Sequence, residues 1–185
     1  MTLSRKDRPM RRVGMLGAVC LVLSGCAWGT KPEGPPVTTV PKVDLARYMG
    51  TWHEIAKYPN RFQKGCVGST AEYRLSPDGK SVEVVNRCME EGPGGKVRSA
   101  RGKARVVDPA TNAKLSVTFF WPFSGDYWIL ALGPEYEYVV VGTPDREYLW
   151  FLARTPTVSD GLYDLFLREA ERQGFDPSRV VRSSP

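Results

Sequence analysis

Histidine is nearly absent from this 185-residue chain: His53 is the only one. A lone imidazole excludes zinc sites built on histidine pairs and, unless His53 itself serves, leaves no base for a Ser-His or Cys-His nucleophile. No Gly-x-Ser-x-Gly stretch occurs, so the nucleophile elbow of the α/β hydrolases is missing too. A run long enough to cross a bilayer is also lacking; the apolar stretch Val13 to Leu23 has 11 residues, where about 20 are needed. Net charge becomes scarce once the N-terminus is set aside. Five of the 26 basic residues and one of the 20 acidic residues precede Val13, which leaves 21 against 19. A body at +2 has no nucleic-acid footprint, and its ordinary apolar content argues against disorder. About 160 residues follow the leader, enough for one domain and one core.

What is present begins with a secretory leader, a basic stretch from Arg5 to Arg12 that runs into the apolar segment and then into Leu23-Ser-Gly-Cys26. That ending resembles the lipobox of bacterial lipoproteins, in which the cysteine thiol receives a diacylglycerol, the chain is cut before it and the new amine is acylated. The resemblance implies that residues 1–25 are removed and that Cys26 becomes a lipid-bearing N-terminus. Ala27, rather than aspartate, implies sorting to the outer membrane of a two-membrane bacterium. One acyl chain anchors marginally, at about 0.8 kcal/mol per buried CH₂, whereas several anchor permanently. Residues 26–43, with four prolines and no apolar periodicity, read as the lipidated cysteine and an extended tether, and residues 44–185 as the folded domain. With Cys20 removed and Cys26 acylated, Cys66 and Cys88 remain in an oxidising compartment and are expected to pair; the alternative is two buried free thiols, and no CxxC motif is present. The segments 71–75 and 81–85 alternate around Pro77-Asp-Gly79 as a hairpin, which brings the two cysteines opposite each other within one residue.

Eight alternating segments follow Gly50, at 51–58, 67–76, 81–89, 96–107, 113–120, 126–133, 136–142 and 147–154, separated by turn sequences such as Gly92-Pro-Gly-Gly95. Short turns between neighbours predict an all-β fold, an eight-stranded up-and-down antiparallel barrel without free edges. A helix from about 158 to 173 follows, with Thr157 or Ser159 as its cap and Gly174 at its end; its stripe Leu162, Leu165, Phe166 and Ala170 is expected to pack outside the sheet. A turn at Thr143-Pro144 pairs Tyr138 with Trp150, Val140 with Tyr148 and Tyr136 with Leu152. The opposite face ends in Glu137 and Glu147, so this aromatic face is assigned to the interior, and Val139, Val141, Leu149 and Phe151 to the helix side. Leu115, Val117 and Phe119 are expected inside as well, along with Gly102, Ala104 and Val106, whose small side chains leave room. A barrel of eight strands either fills with side chains or holds one small ligand.

Gly50-Thr-Trp52 opening the first strand, Gly142-Thr-Pro-Asp145 between the seventh and eighth, and Arg154-Thr-Pro156 before the helix stand in the order and spacing of three lipocalin motifs. From about residue 43 to 180 the chain resembles the lipocalin family and, with its lipobox, the bacterial outer-membrane lipocalins, relatives of apolipoprotein D. The resemblance implies structural roles for Gly50, Trp52, Asp145 and Arg154. Trp52 plugs the closed end, with the Arg154 guanidinium stacked on its indole in a cation–π contact worth about 0.5–2 kcal/mol. His53, next to Trp52 in alternation, points outward as an ordinary histidine. A binding protein is implied rather than an enzyme, with no cofactor, no metal and no nucleic-acid partner. The expected ligand is a fatty acid or lysophospholipid against a cavity wall of Leu115, Val117, Phe119, Tyr136, Tyr138, Val140, Tyr148 and Trp150, stored or transported at the periplasmic face of the outer membrane. The competing readings are a structural envelope lipoprotein with a filled barrel and a lipid-modifying enzyme, the latter disfavoured by the outward placement of Glu72, Glu83, Glu137 and Glu147. Some family members pair into homodimers with ligand at the shared interface; the sequence leaves that open.

Overall fold

The computed structural model describes residues 34–79, 81–92 and 94–184; Cys26 and the leader lie outside them. A short helix α1 (Leu45–Tyr48) precedes eight strands: β1 (Gly50–Lys57), β2 (Cys66–Leu75), β3 (Ser81–Glu90), β4 (Val97–Val106), β5 (Lys114–Phe120), β6 (Phe123–Leu132), β7 (Tyr138–Gly142) and β8 (Leu149–Ala153). Each pairs antiparallel with the next, and β1 closes the cylinder by pairing with both β2 and β8. The expected up-and-down barrel is therefore found, with strand ends within three residues of the sequence reading. Helix α2 (Asp160–Arg172) follows, with Ser159 as its cap, and a short β9 (Val181–Arg182) completes the chain.

Side-chain alternation sorts the apolar residues into two layers. Trp52, Ala71, Tyr73, Val82, Val84, Ala104, Leu115 and Ile129 pack inside the barrel. Ile55, Tyr58, Leu130, Val140, Leu149 and Phe151 pack outside it, under Phe166 and Ala170 of α2. Phe151 and Phe166 stack with ring centroids 4.7 Å apart. Leu162, Tyr163 and Leu167 join this outer layer, whereas Leu165 of the expected stripe is only half-buried and stands apart from it.

Two departures from simple pairing shape the open end. A bulge between Glu54 and Ala56 bends β1, and beyond it the edge that faced β2 is taken by the C-terminal segment. Ala56 pairs with Arg182 and Lys57 with Val181, while the Gly68 N–H on β2 donates to the Ser184 carbonyl at 2.9 Å. The tail thus fills a seam between β1 and β2. A second register shift lies between Val67 and Thr70, where Gly68 adopts φ +56°; beyond it Cys66 opposes Glu90, two residues past Cys88, so the two cysteines sit diagonally across the β2–β3 pair rather than directly opposed. Cys66 and Cys88 are disulfide-bonded, their Cα atoms 5.4 Å apart.

Two sequence expectations change here. Residues 34–43, assigned to the tether, lie against the domain: Val43 is fully buried, Val40 packs on the interior layer and Val37 on the outer one. The Val40 and Val43 N–H groups donate to the carbonyls of Ile129 and Thr111, so backbone hydrogen bonds replace the missing periodicity as the reason for order. The β7–β8 hairpin also has a different register. Val141 opposes Trp150 and Val139 opposes Leu152, because the loop closes on a Thr143–Tyr148 pair and Arg146 turns the chain at φ +60°. Directly opposed residues share a face, so this shift turns β7 over. Tyr138 and Val140 consequently face α2 rather than the cavity, and Val139 and Val141 take their places inside.

Candidate ligand site inside the barrel

The closed end is built around Trp52, which is fully buried and donates from Nε1 to the Tyr48 carbonyl at 2.9 Å. The Arg154 guanidinium carbon lies 3.8 Å from the Trp52 ring centroid. Its nitrogens donate to the carbonyls of Arg47, Tyr48, Thr51 and Tyr136 at 2.9–3.2 Å, joining α1, β1 and the β6–β7 loop. Gly50 has φ +96°, a conformation that favours glycine, and its open side faces the Arg154 guanidinium. Asp145 has a different task at the opposite end: its carboxylate accepts from Thr143 Oγ1 and the Glu147 N–H, shaping the β7–β8 loop.

Above Trp52 three tyrosines meet. Tyr127 Oη lies 2.7 Å from Tyr48 Oη and 2.9 Å from Tyr73 Oη. Burial strips water from all three, pushing Tyr73 up to about 12 and raising Tyr48 and Tyr127 well above the usual phenol range, so the cluster is neutral at any physiological pH. Together with Leu45, Met49, Val82, Ala104, Leu115 and Val117 they leave a void of only about 10 Å³, room for about one water. The floor is packed.

The upper half differs. Gly102, Phe119 and Trp150 are only partly buried. Gly102 matters because a Cβ there would stand 2.8 Å from the Phe119 ring; its smallness accommodates that side chain. Trp150 stacks on Tyr148 at 5.7 Å, and Phe62 follows at 5.8 Å, an aromatic ladder climbing to the rim. Trp150 Nε1 donates to Gln63 Oε1 at 3.0 Å, and the Gln63 amide donates to Glu54. Glu54 also accepts from Lys57 Nζ at 2.6 Å and Ser183 Oγ at 2.7 Å, a buried network that ties β1, the rim loop and the C-terminal tail together. A groove of about 560 Å³ opens beside it, lined by Lys57, Asn60, Arg61, Gln63, Lys64 and Ser183 among others.

Of the residues expected in the cavity wall, Leu115, Val117, Phe119, Tyr136 and Trp150 belong to or pack on the interior layer, Tyr148 stacks on Trp150, and Tyr138 and Val140 lie on the far side of the sheet. Tyr136 sits at the closed end, where its Oη accepts from the Asp44 N–H at 2.8 Å. The tyrosine cluster and the Glu54–Lys57 pair have no counterpart among the sequence expectations. The pair sits at i and i+3 on a strand, a spacing that shares a face only across a bulge. Among the described residues no three His, Cys, Asp or Glu side chains come together as a metal site.

A closed eight-stranded barrel, plugged at one end by a tryptophan under an arginine and open at the other onto an apolar wall, is the architecture of a carrier for small hydrophobic molecules. The chain belongs to the lipocalin family: the sequence profile of the lipocalin-like domain matches residues 43–185. The outer membrane lipoprotein Blc of Escherichia coli K12 is 40% identical over 174 residues, covering 93% of this chain and 96% of that protein. Blc of Vibrio cholerae is 40% identical over 162 residues, 87% of this chain and 91% of that one. This similarity places the protein at the outer membrane. Insecticyanin from the tobacco hornworm Manduca sexta shares the fold, with a TM-score of 0.65 at 24% identity over 82% of this chain and 85% of its own.

Proposed function

We propose that the protein is anchored through acylated Cys26 and takes up a fatty acid or lysophospholipid, which it stores or carries within the cell envelope without chemical change. The observation that supports this reading is the link between two neighbouring surfaces: Trp150, which with Phe119 offers an apolar wall in the upper barrel, donates to Gln63, which lines the rim groove together with Arg61, Lys64 and Asn60. An acyl chain suits the first and an anionic head the second. Because the floor is packed, the chain lies in the upper half, against Trp150. Burying methylenes at about 0.8 kcal/mol each makes micromolar affinity reachable after association costs.

Titration with a long-chain fatty acid, read by tryptophan fluorescence, tests this. Trp150→Phe keeps the apolar lining and is expected to bind nearly normally with a smaller signal; Trp150→Glu puts a charge where the chain lies and is expected to bind at least tenfold more weakly, about 1.4 kcal/mol. A folded Trp150→Glu variant with unchanged affinity would remove the wall from the site. Mass spectrometry of a solvent extract of the purified protein separates this reading from a filled structural barrel, for which no lipid should co-purify.

A further inference from the structure

We infer that the mouth of the barrel faces the bilayer, and that the tip Phe120-Trp121-Pro122-Phe123 docks on the lipid surface. The inference rests on the proposed anchor at Cys26 and goes beyond it by fixing which end of the domain meets the membrane. Large apolar side chains are unevenly distributed. Of the nine that the described residues expose, seven stand at the open end: Val181 beside the end of β1, and Phe62, Met89, Val97, Phe120, Trp121 and Phe123. Trp121 is 88% exposed, and its neighbours Phe120 and Phe123 are 75% and 77% exposed. These three form the tip of the β5–β6 hairpin, and Met89 and Val97 oppose each other where β3 and β4 end. Isolated apolar residues on a surface need no explanation, but a ring of them at one end does. Trp and Phe at a lipid interface gain by burying their rings among acyl chains and headgroups.

A second observation, independent of exposure, selects a membrane as the occupant. The chain leading from Cys26 joins the domain at this same end: the Pro35 carbonyl accepts from the Arg146 guanidinium in the β7–β8 loop, and Gly34 lies against the same group. Eight Cα–Cα steps lead from Cys26 to Gly34, a reach of at most about 28 Å at about 3.5 Å per step. An anchor attached near the mouth by so short a connection holds the mouth, not the packed end, toward the bilayer. Rim charge is nearly balanced, with Arg61, Lys64, Lys96, Arg98 and Arg146 against Glu90, Glu91, Asp145 and Glu147. Docking is therefore apolar and should depend little on salt. With the mouth on the bilayer, an acyl chain passes between lipid and barrel without crossing water.

The test uses the mature acylated chain in phosphatidylcholine vesicles brominated on the acyl chains. Trp28 stands close to the anchor and is quenched in any orientation, so the reading is the difference between the wild-type chain and Trp121→Phe. Bromine quenching assigned to Trp121, unchanged by 0.5 M salt, is the expected result. In the double variant Trp121→Glu/Phe123→Glu, fatty-acid transfer from vesicles should slow several-fold while affinity for fatty acid free in solution stays the same. An acylated, vesicle-bound chain whose Trp121 is unquenched overturns the proposal and leaves the anchor standing, as does cross-linking that shows Trp121 shielded by a second copy. A Cys26 peptide of unmodified mass overturns the anchor, and the proposal falls with it.

Discussion

Tyr127 holds together two hydroxyls that otherwise have no partner among the described residues. Replacing it with phenylalanine keeps the ring and strands Tyr48 and Tyr73, at about 1–3 kcal/mol for each buried hydroxyl left unsatisfied. Tyr48→Phe should cost less, since Tyr73 and Tyr127 can still bond each other. Urea unfolding of the three proteins checks the order. The same cluster sets an alkaline limit. Tyr73 ionises near 12 in the folded state, because burial removes water from its phenolate, and near 10 when unfolded. Below about pH 10 the hydroxyls are protonated in both states and their contribution is complete; as pH rises from about 10 toward 12 the unfolded chain ionises first, so stability falls. The wild-type urea midpoint should therefore drop over that window, and more gently in Tyr127→Phe. Arg154 acts at the same scale. Arg154→Ala removes donors from four backbone carbonyls and the cover of Trp52, and should lower stability by about 2–4 kcal/mol while leaving fatty-acid affinity in place. Melting and titration of one preparation decide it; a large affinity loss without destabilisation would put Arg154 in the ligand site.

Strands, being periodic, are the most legible feature of the sequence. Alternation in β4 and β5 places Ala104, Leu115 and Val117 on the interior, and the cap at Ser159 and the left-handed Gly174 bound α2. Register is legible only where the turn chemistry is plain. The β7–β8 loop reads as a tight turn around Thr143-Pro144, but Arg146 takes the positive φ usually left to glycine or asparagine, lengthening the loop and inverting β7. Nothing in the local sequence announces that. Tyr48, Tyr73 and Tyr127 come from three separate elements, so their meeting depends on closure of the barrel, which no local pattern encodes. The corrected register makes its own prediction. Tyr138 packs edge-on to Phe151 with centroids 6.2 Å apart under α2, so Tyr138→Ala should lower the melting temperature through a loss of about 1–2 kcal/mol and leave fatty-acid titration unchanged. Weaker binding at unchanged stability would return Tyr138 to the cavity.

For the whole molecule, closure depends on the chain's two ends as well as its eight strands. Removing residues 181–185 takes β9 from the seam, leaves the Lys57 edge of β1 and the Gly68 N–H of β2 without partners, and deprives Glu54 of Ser183. Stability should fall by about 2–3 kcal/mol, and amide exchange should rise at 55–57 and 66–68 ahead of the rest of the barrel. Uniform loss of protection would mean that the tail stabilises the fold without sealing it. The N-terminal end has a mechanical consequence. The Gln173 side-chain amide meets Thr38 on both sides, accepting from its N–H at 2.9 Å and donating to its carbonyl at 3.0 Å, while Arg146 bridges Pro35 to the Gln173 carbonyl. A pull transmitted along the polypeptide from its N-terminal side is therefore borne first by the last turn of α2 and the β7–β8 loop. These few side-chain bonds would give way in succession, as a seam peels, before tension reached Val40, Val43 and the plug beneath the barrel, so the strap serves the domain as a shock absorber.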